Sequence, residues 1–149
     1  MKKAAIVVLC IILVLSLCSC RKISIALTKE KAVSRDTITA LFQAMDAGDR
    51  EAIFNLFSPS VRKQDKDLKD QIDKLLSIYE GPTDAIGWNN ILGGSSSYDH
   101  GKRHQSAFSR FPVRTGDTYY WCYLDLTYED NYDSQQIGIT QLDFFTADE

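Results

Sequence analysis

Three of the four cysteines lie near the start of the chain, at Cys10, Cys18 and Cys20. Thiols at this spacing could form a disulfide, hold a metal ion or accept a covalent group. Residues 4–17 are apolar except for one serine and follow two lysines, which is typical of a signal peptide. A helix that crosses a bilayer needs about 20 apolar residues, and this run is shorter. Because a signal peptide is removed, a metal site within it is not expected.

The segment Leu17-Cys18-Ser19-Cys20 resembles the bacterial lipobox, in which an aliphatic and then a small residue precede a cysteine that becomes lipidated. Cys20 fits this pattern, whereas Cys18 would directly follow the bulky Leu17. The resemblance implies that the Cys20 thiol carries a diacylglyceryl group and that residues 1–19 are removed. Acyl chains such as palmitate would then hold the protein on the extracytoplasmic face of the cell membrane. A secretory signal without lipidation is the alternative.

The fourth cysteine, Cys122, lies in "TYYWCYLDL", where it alternates with apolar residues. It would be the only free thiol left after processing, so no disulfide within the chain is expected. No basic residue lies nearby to lower its pKa. The pattern therefore favours a small buried core residue over a nucleophile.

Two carboxylates are the weak candidates for catalysis. Asp125 and Asp143 each lie within a predicted strand, where a buried carboxylate could act as a general base. Such a base would suit an isomerase or a hydratase. The residues alternating with Asp125 are the more apolar ones, so Asp125 is expected to point away from the helices. A solvated strand residue is the favoured interpretation, and no cofactor is expected.

Both histidines, His100 and His104, lie in "YDHGKRHQS". Their spacing would suit metal binding on a helix, but Gly101 and the nearby serines favour a turn. A zinc site needs three or four ligands. The polar run "EDNYDS" lacks the length and the closing glutamate of a calcium loop. No metal is expected at either place.

The row Tyr119, Trp121 and Tyr123 is the most suggestive binding feature. If Cys122 faces the helices, this row faces away from them, because side chains alternate along a strand. Exposed aromatic surfaces are typical of interfaces, so a protein partner or an identical subunit is predicted there. Cover within one chain, by sheet curvature or by the segment "ISIAL", is the alternative. Two further aromatics, Trp88 and Tyr98, could line a pocket, with core filling favoured for Trp88.

Helical periodicity appears three times. Ser34 is a good N-cap for a first helix that ends at Gly48. A second, shorter helix follows Asp49 and is predicted to stop at "SP", residues 58–59. A third begins near Asp65 or Asp67, and its apolar stripe continues to "YEGP".

The chain then changes to the period of strands. Strands are predicted over residues 85–92, 103–113, 118–128 and 136–145, with "GGSSS" as a flexible turn. The apolar phase slips within the last strand, between Ile139 and Leu142, which indicates a bulge. Helices followed by strands predict an α+β domain with three helices packed on a bent antiparallel sheet of about four strands.

Charge is unevenly distributed. Residues 21–35 hold five basic side chains and one acidic side chain, whereas no lysine or arginine follows Arg114. A basic start next to a lipid would be attracted to anionic head groups. The acidic end argues against nucleic acid as a partner. We divide the chain into a signal peptide (1–19), a lipid-anchored tether (20–33) and one domain (34–149).

The segments "LFQAMDAGDREAIFNLFSPSVR", "LKDQIDKLLSIYEG" and "IGITQLDFF" carry a family resemblance. The first resembles the opening helices of the nuclear transport factor 2-like, or cystatin-like, superfamily. The whole is similar to a family of uncharacterised lipoproteins of Gram-positive gut bacteria, domain of unknown function 5104. The resemblance implies helices curled over a strongly bent sheet in a cone. It implies no activity, because this fold carries many unrelated functions.

We predict that intact-mass spectrometry of natively produced protein will show a chain that begins at Cys20 and carries an acyl adduct, because the lipobox directs both modifications. A chain that still begins at Met1, or one without the adduct, would contradict the anchor.

Overall fold

The structure is a computed structural model that describes residues 30–88 and 93–147. The predictions made for the signal peptide, for Cys20 and for most of the tether lie outside these residues. Helix α1 occupies residues 30–46 of the described chain. Three more helices follow: α2 Arg50–Leu56, α3 Pro59–Gln64 and α4 Leu68–Ile78.

Helix α1 already includes residues 30–33, so the prediction that Ser34 is its N-cap was wrong. Ser34 is fully buried within the helix. It lies four residues before Ile38 on the stripe that Leu41 and Met45 continue, and this stripe packs into the core. A small polar side chain on the buried face was therefore mistaken for a cap.

Helix α3 was not predicted, because the "SP" at its start was interpreted only as the end of the second helix. Ser58 does end the second helix, but its Oγ also accepts a hydrogen bond from the backbone N–H of Val61 at 3.3 Å. Pro59 follows at the first helical position, where its fixed φ is favourable. The same two residues thus end one helix and begin the next.

The sheet is antiparallel and has five strands rather than four: β1 Ala85–Ile86, β2 Gly94–Asp99, β3 Lys102–Thr115, β4 Thr118–Asp130 and β5 Gly138–Thr146. The order is β1-β3-β4-β5, and β2 also pairs with β3. The α+β prediction is confirmed, with the helices before the sheet.

Two details of the strand prediction were wrong. All but the first residue of the supposed turn "GGSSS" belong to β2, where pairing with β3 overrides the poor strand propensity of glycine and serine. Of the strand predicted over residues 85–92, only β1 is found; residues 89–92 lie outside the described chain.

The core lies between the helices and one face of β4. Tyr120, Cys122, Leu124 and Leu126 are buried there. The predicted alternation is thereby confirmed, and so is the core position of Cys122, whose pKa is raised by burial. Helix α4 contributes its predicted stripe, of which Leu68, Ile72 and Leu75 are buried.

The predicted bulge in β5 is confirmed. The pairing of β4 with β5 shifts between Asp125 and Leu126, which leaves Thr140 without a directly opposed residue. Ile139 and Leu142 consequently both face inward, although residues three positions apart in a regular strand point to opposite sides. Beside the bulge, the backbone N–H of Ser58 donates to the carbonyl of Ile139 at 2.9 Å and joins the helices to this edge.

Gly138 makes this junction possible, because a Cβ there would lie 2.7 Å from the Ser58 nitrogen and its φ is +131°. We expect Gly138→Ala to lower the free energy of unfolding by about 2 kcal/mol or more through backbone strain and a steric clash. Urea denaturation measures the loss.

Gly116→Ala is the matched control. Gly116 also has a positive φ, +56°, but a Cβ there would meet nothing within 4 Å. Gly116→Ala should lower the free energy of unfolding by about 1 kcal/mol. Equal losses in the two variants would show that the contact with Ser58 is unimportant.

Candidate binding surface on the outer face of the sheet

The side of β3, β4 and β5 that points away from the helices is called here the outer face. Cross-strand pairing arranges it in rows. The central row is Pro112, Trp121 and Phe145, and the next is Arg110, Tyr123 and Asp143. Beside the central row, on its other side, lies the row of Arg114, Tyr119 and Ala147. Beyond the row of Tyr123 lies the row of Phe108, Asp125 and Gln141.

The predicted outward orientation of the aromatic row is confirmed. Tyr119 is 53% exposed, and Trp121 and Tyr123 are partly exposed. The guanidinium carbon of Arg110 lies 5.0 Å from the centroid of the Trp121 ring, in the range of a cation–π contact. The outer face thus presents aromatic surface with charges beside it. Its role in binding stays a prediction.

Asp125 and Asp143 both lie on this outer face, as was expected for Asp125. Asp125 is opposite Phe108 and Gln141, and a hydrogen bond to it raises the pKa of Tyr123. Asp143 is exposed and accepts a hydrogen bond from the side chain of Gln141 at 2.7 Å. Neither carboxylate enters the core between the helices and the sheet.

Phe111, Leu124 and Ile139 are fully buried between the helices and the sheet. A groove of about 770 Å³ opens between helix α4 and strand β5. Ile72, Leu75, Leu142 and Phe144 contribute its apolar wall. Asp143, one of the two predicted catalytic candidates, is among the residues that border this groove.

The two remaining aromatic candidates, Trp88 and Tyr98, differ in how deeply they are buried. Trp88 packs partly buried against the core, and the guanidinium carbon of Arg35 lies 5.5 Å from the centroid of its ring. Tyr98 lies on β2 and is 70% exposed, so the expectation that it lines a pocket was wrong. Because the strand that carries it was taken for a turn, its direction could not be predicted.

A tyrosine–carboxylate cluster holds the loop between α4 and β1. The Tyr79 hydroxyl donates to Asp46, and the backbone N–H of Thr83 donates to the same carboxylate at 2.9 Å. Burial, followed by the hydrogen bond to Asp46, raises the pKa of Tyr79. These bonds fasten the end of α1 to the loop at Gly81-Pro82, so we assign the cluster a structural role.

His104 and Asp130 form a pair that sequence reasoning missed. Nδ1 of His104 lies 2.9 Å from Oδ2 of Asp130, whose other oxygen accepts the backbone N–H groups of Tyr132 and Asp133. The two residues are 26 positions apart, and only the register of β3 with β4 brings them together. The other histidine, His100, lies in the exposed β2–β3 turn, as predicted.

Among residues 30–88 and 93–147, no group of three or more His, Cys, Asp or Glu side chains is placed to hold a metal ion. Within the same ranges no helix has the length and apolar character needed to cross a bilayer.

A family model described as "Domain of unknown function (DUF5104)" matches residues 40–147, most of the chain. The chain therefore belongs to this family. No curated protein matches it.

The Asp130 contacts make stability depend on pH. The Asp133 N–H, and then His104, hold the pKa of Asp130 below its ordinary value. The folded chain therefore binds fewer protons here than the unfolded chain does. The stabilisation is fully present above about pH 3.9 and is lost as the pH falls through the lower, folded-state pKa.

We expect Asp130→Asn to lower the urea midpoint at pH 7 and the difference from wild type to shrink below about pH 3.9. Denaturation curves over this range measure it, with Asp117→Asn, in an exposed turn, as the control. A difference between wild type and Asp130→Asn that stays constant with pH would contradict the assignment.

Proposed function

We propose that this protein is a lipid-anchored, extracytoplasmic binding domain without enzymatic activity, and that its outer face binds a protein partner or an identical subunit. The observation that carries the proposal is the central row of Pro112, Trp121 and Phe145. Apolar groups there face away from the buried core. Surfaces of this kind are typical of interfaces.

The anchor is supported by the sequence "LCSC" at residues 17–20 and by the basic side chains that follow it. In this proposal Cys20 carries the lipid, and the domain projects from the outer surface of a Gram-positive membrane. Anionic head groups would attract the basic segment at about 1 kcal/mol for each charge close to the surface.

We further propose that the fold is a nuclear transport factor 2-like cone. The described helices lie on one side of a sheet in which the pairing of β3 with β4 and that of β4 with β5 each shift in register, which leaves an extra residue on β4 and on β5. Bulges bend strands and increase their twist. Such bending is what a sheet needs in order to curl around its helices.

The alternative, a small isomerase or hydratase, would need Asp125 or Asp143 as a base in a protected pocket. Both lie on the outer face, and Asp143, which also borders the groove beside α4, is exposed. A base whose pKa is tuned by burial is therefore not what these positions favour.

Substitution of Trp121 tests the binding function. The tagged full-length protein is cross-linked in its native membrane and then purified in detergent. We expect Trp121→Ala to reduce the cross-linked species by about thirtyfold or more, since a tryptophan at the centre of an interface contributes about 2 kcal/mol or more.

Tyr98→Ala is the control, because Tyr98 is a more exposed aromatic residue that lies on β2, outside the row. It should leave the cross-linked species unchanged. If Trp121→Ala, still folded by circular dichroism, also leaves them unchanged, the outer face is not the binding surface.

A further inference from the structure

We propose that the groove between helix α4 and strand β5 binds an extended segment of a partner protein, which adds a strand to the free edge of β5. This inference goes beyond the proposed function, because the groove is a different surface from the outer face. In this mode of recognition, main-chain hydrogen bonds provide the affinity, and alternate side chains provide the specificity. The partner segment is defined by its chemistry, with apolar residues at alternate positions and a basic residue between two of them.

The free edge of β5 directs backbone groups into open space. Strand β5 lies at one end of the sheet order, so β4 pairs with only one of its two edges. In an antiparallel pair, every second residue points its N–H and C=O away from the partner strand. The Ala147 N–H donates to the Tyr119 carbonyl at 2.8 Å, which sets this alternation. Leu142, Phe144 and Thr146 therefore point their backbone groups outward.

The chain already pairs an extended segment with the start of this edge. Phe57 forms a parallel bridge with Ile139, and the Ser58 N–H donates to the Ile139 carbonyl at 2.9 Å. Pro59 then begins α3 and takes the chain away from the sheet. Among the described residues, no strand continues along this edge past Ile139. The edge from Leu142 onward is thus open to a strand that the described chain does not supply.

The open part of the edge lacks the features that usually keep strand edges from pairing. Proteins block such edges with proline, lysine or a bulge. The bulge at Thr140 comes before the open part, and the sequence "LDFFT", residues 142–146, contains no proline, lysine or glycine. An added strand therefore meets no steric obstacle from these residues.

The walls of the groove indicate which side chains the partner carries. Leu142 and Phe144 line the groove together with Leu75 and Ile78 of α4. Leu142 and Phe144 are only partly buried, and Ile78 is 45% exposed. Side chains that are directly opposed on neighbouring strands lie on the same face. Every second side chain of an added strand would therefore cover this apolar surface.

Asp143 indicates the charge of the partner between those apolar positions. It is exposed, and it lies on the outer face between the two apolar residues of the edge. Opposite charges on neighbouring strands are favourable, so a lysine or arginine is expected opposite it. On the α4 side the groove is bordered by both Asp65 and Lys74, so only the Asp143 side selects a charge.

A purely apolar ligand such as an acyl chain fits this groove less well. It would cover the outward N–H and C=O groups of Leu142 and Phe144 without bonding them, and covered polar groups need partners. An extended main chain offers a donor and an acceptor at every second residue, which is the spacing of these groups. A segment of five residues, about 17 Å long, matches the open edge.

Amide hydrogen exchange measured by NMR tests the added strand. The chain used is residues 20–149 with Cys20→Ser, which carries no lipid. The probe is a seven-residue peptide with valine at positions two, four and six, lysine at three and five, and threonine at both ends. At millimolar peptide we expect the N–H groups of Leu142 and Phe144 to exchange more slowly by about tenfold or more. The Asp143 N–H points to β4 and should not change.

Methylated peptides separate strand addition from simple apolar contact. A methyl group on every second amide nitrogen removes the donors from one edge of the peptide only. Two such peptides, methylated on opposite edges, are compared with the parent peptide by competition. We expect one to bind about tenfold more weakly or less well still, and the other to bind as the parent does. Equal affinities of the two would show that no strand is added.

Variants of the groove complete the test, with binding measured by the anisotropy of labelled peptide. Ile78→Glu places a charge on the apolar wall and should weaken binding by about tenfold or more. Ile137→Glu is the matched control, because Ile137 is 42% exposed and is not among the residues that line the groove. Asp143→Lys should reverse the charge preference, so that a peptide with glutamate in place of lysine binds better.

The outcomes are distinct. Absence of protection at Leu142 and Phe144 at millimolar peptide, or unchanged binding in Ile78→Glu, would overturn the proposal. Protection already present without peptide would overturn it too. Such protection would assign the groove to a segment of this chain if it is independent of protein concentration, and to a second copy if it rises with concentration. The Trp121→Ala experiment reports on the outer face, so failure of either proposal leaves the other standing.

Discussion

Strand β4 carries both faces of the domain, because successive side chains of a strand point to opposite sides. Its even-numbered residues from Tyr120 to Leu126 are buried against the helices. Burial of these side chains is the main favourable contribution to folding, at roughly 25 cal/mol for each Å² of apolar surface. Once that set faces inward, Tyr119, Trp121 and Tyr123 must face outward. The aromatic outer face is therefore a direct consequence of how the core is built.

Polar contacts hold the loop before the first strand and the far end of β4 in place. Asp46 holds the loop before β1 through Tyr79 and Thr83, and Asp130 holds the far end of β4 through His104 and the following turn. Both carboxylates accept several hydrogen bonds, which fix the chain segments that donate them. These polar clusters lie at the ends of the sheet and take no part in the outer face.

The outer face is organised by register as well as by composition. Antiparallel pairing brings Arg110, Tyr123 and Asp143 to one level, although the first and last are 33 positions apart in the sequence. Cross-strand neighbours of this kind interact directly, and their order sets the pattern of charge on this face. A shift of one residue in either pairing would turn one strand over and destroy the pattern. The bulge at Thr140 matters for this reason, because it restores the phase of β5 before Asp143 is reached.

Local periodicity was enough to predict the α+β class, the stripe of α4, the buried position of Cys122, the outward direction of Trp121 and the bulge in β5. Each of these depends on neighbours within a few residues, and burial of an apolar stripe leaves little choice. The sequence alone could not predict helix α3, strand β2, the His104–Asp130 pair or the rows of the outer face. "SP" can end a helix and also begin one, and "GGSSS" becomes a strand only because β3 lies beside it. The remaining features depend on which residues of separate strands are opposed, and that register is fixed only when the whole sheet packs on its helices.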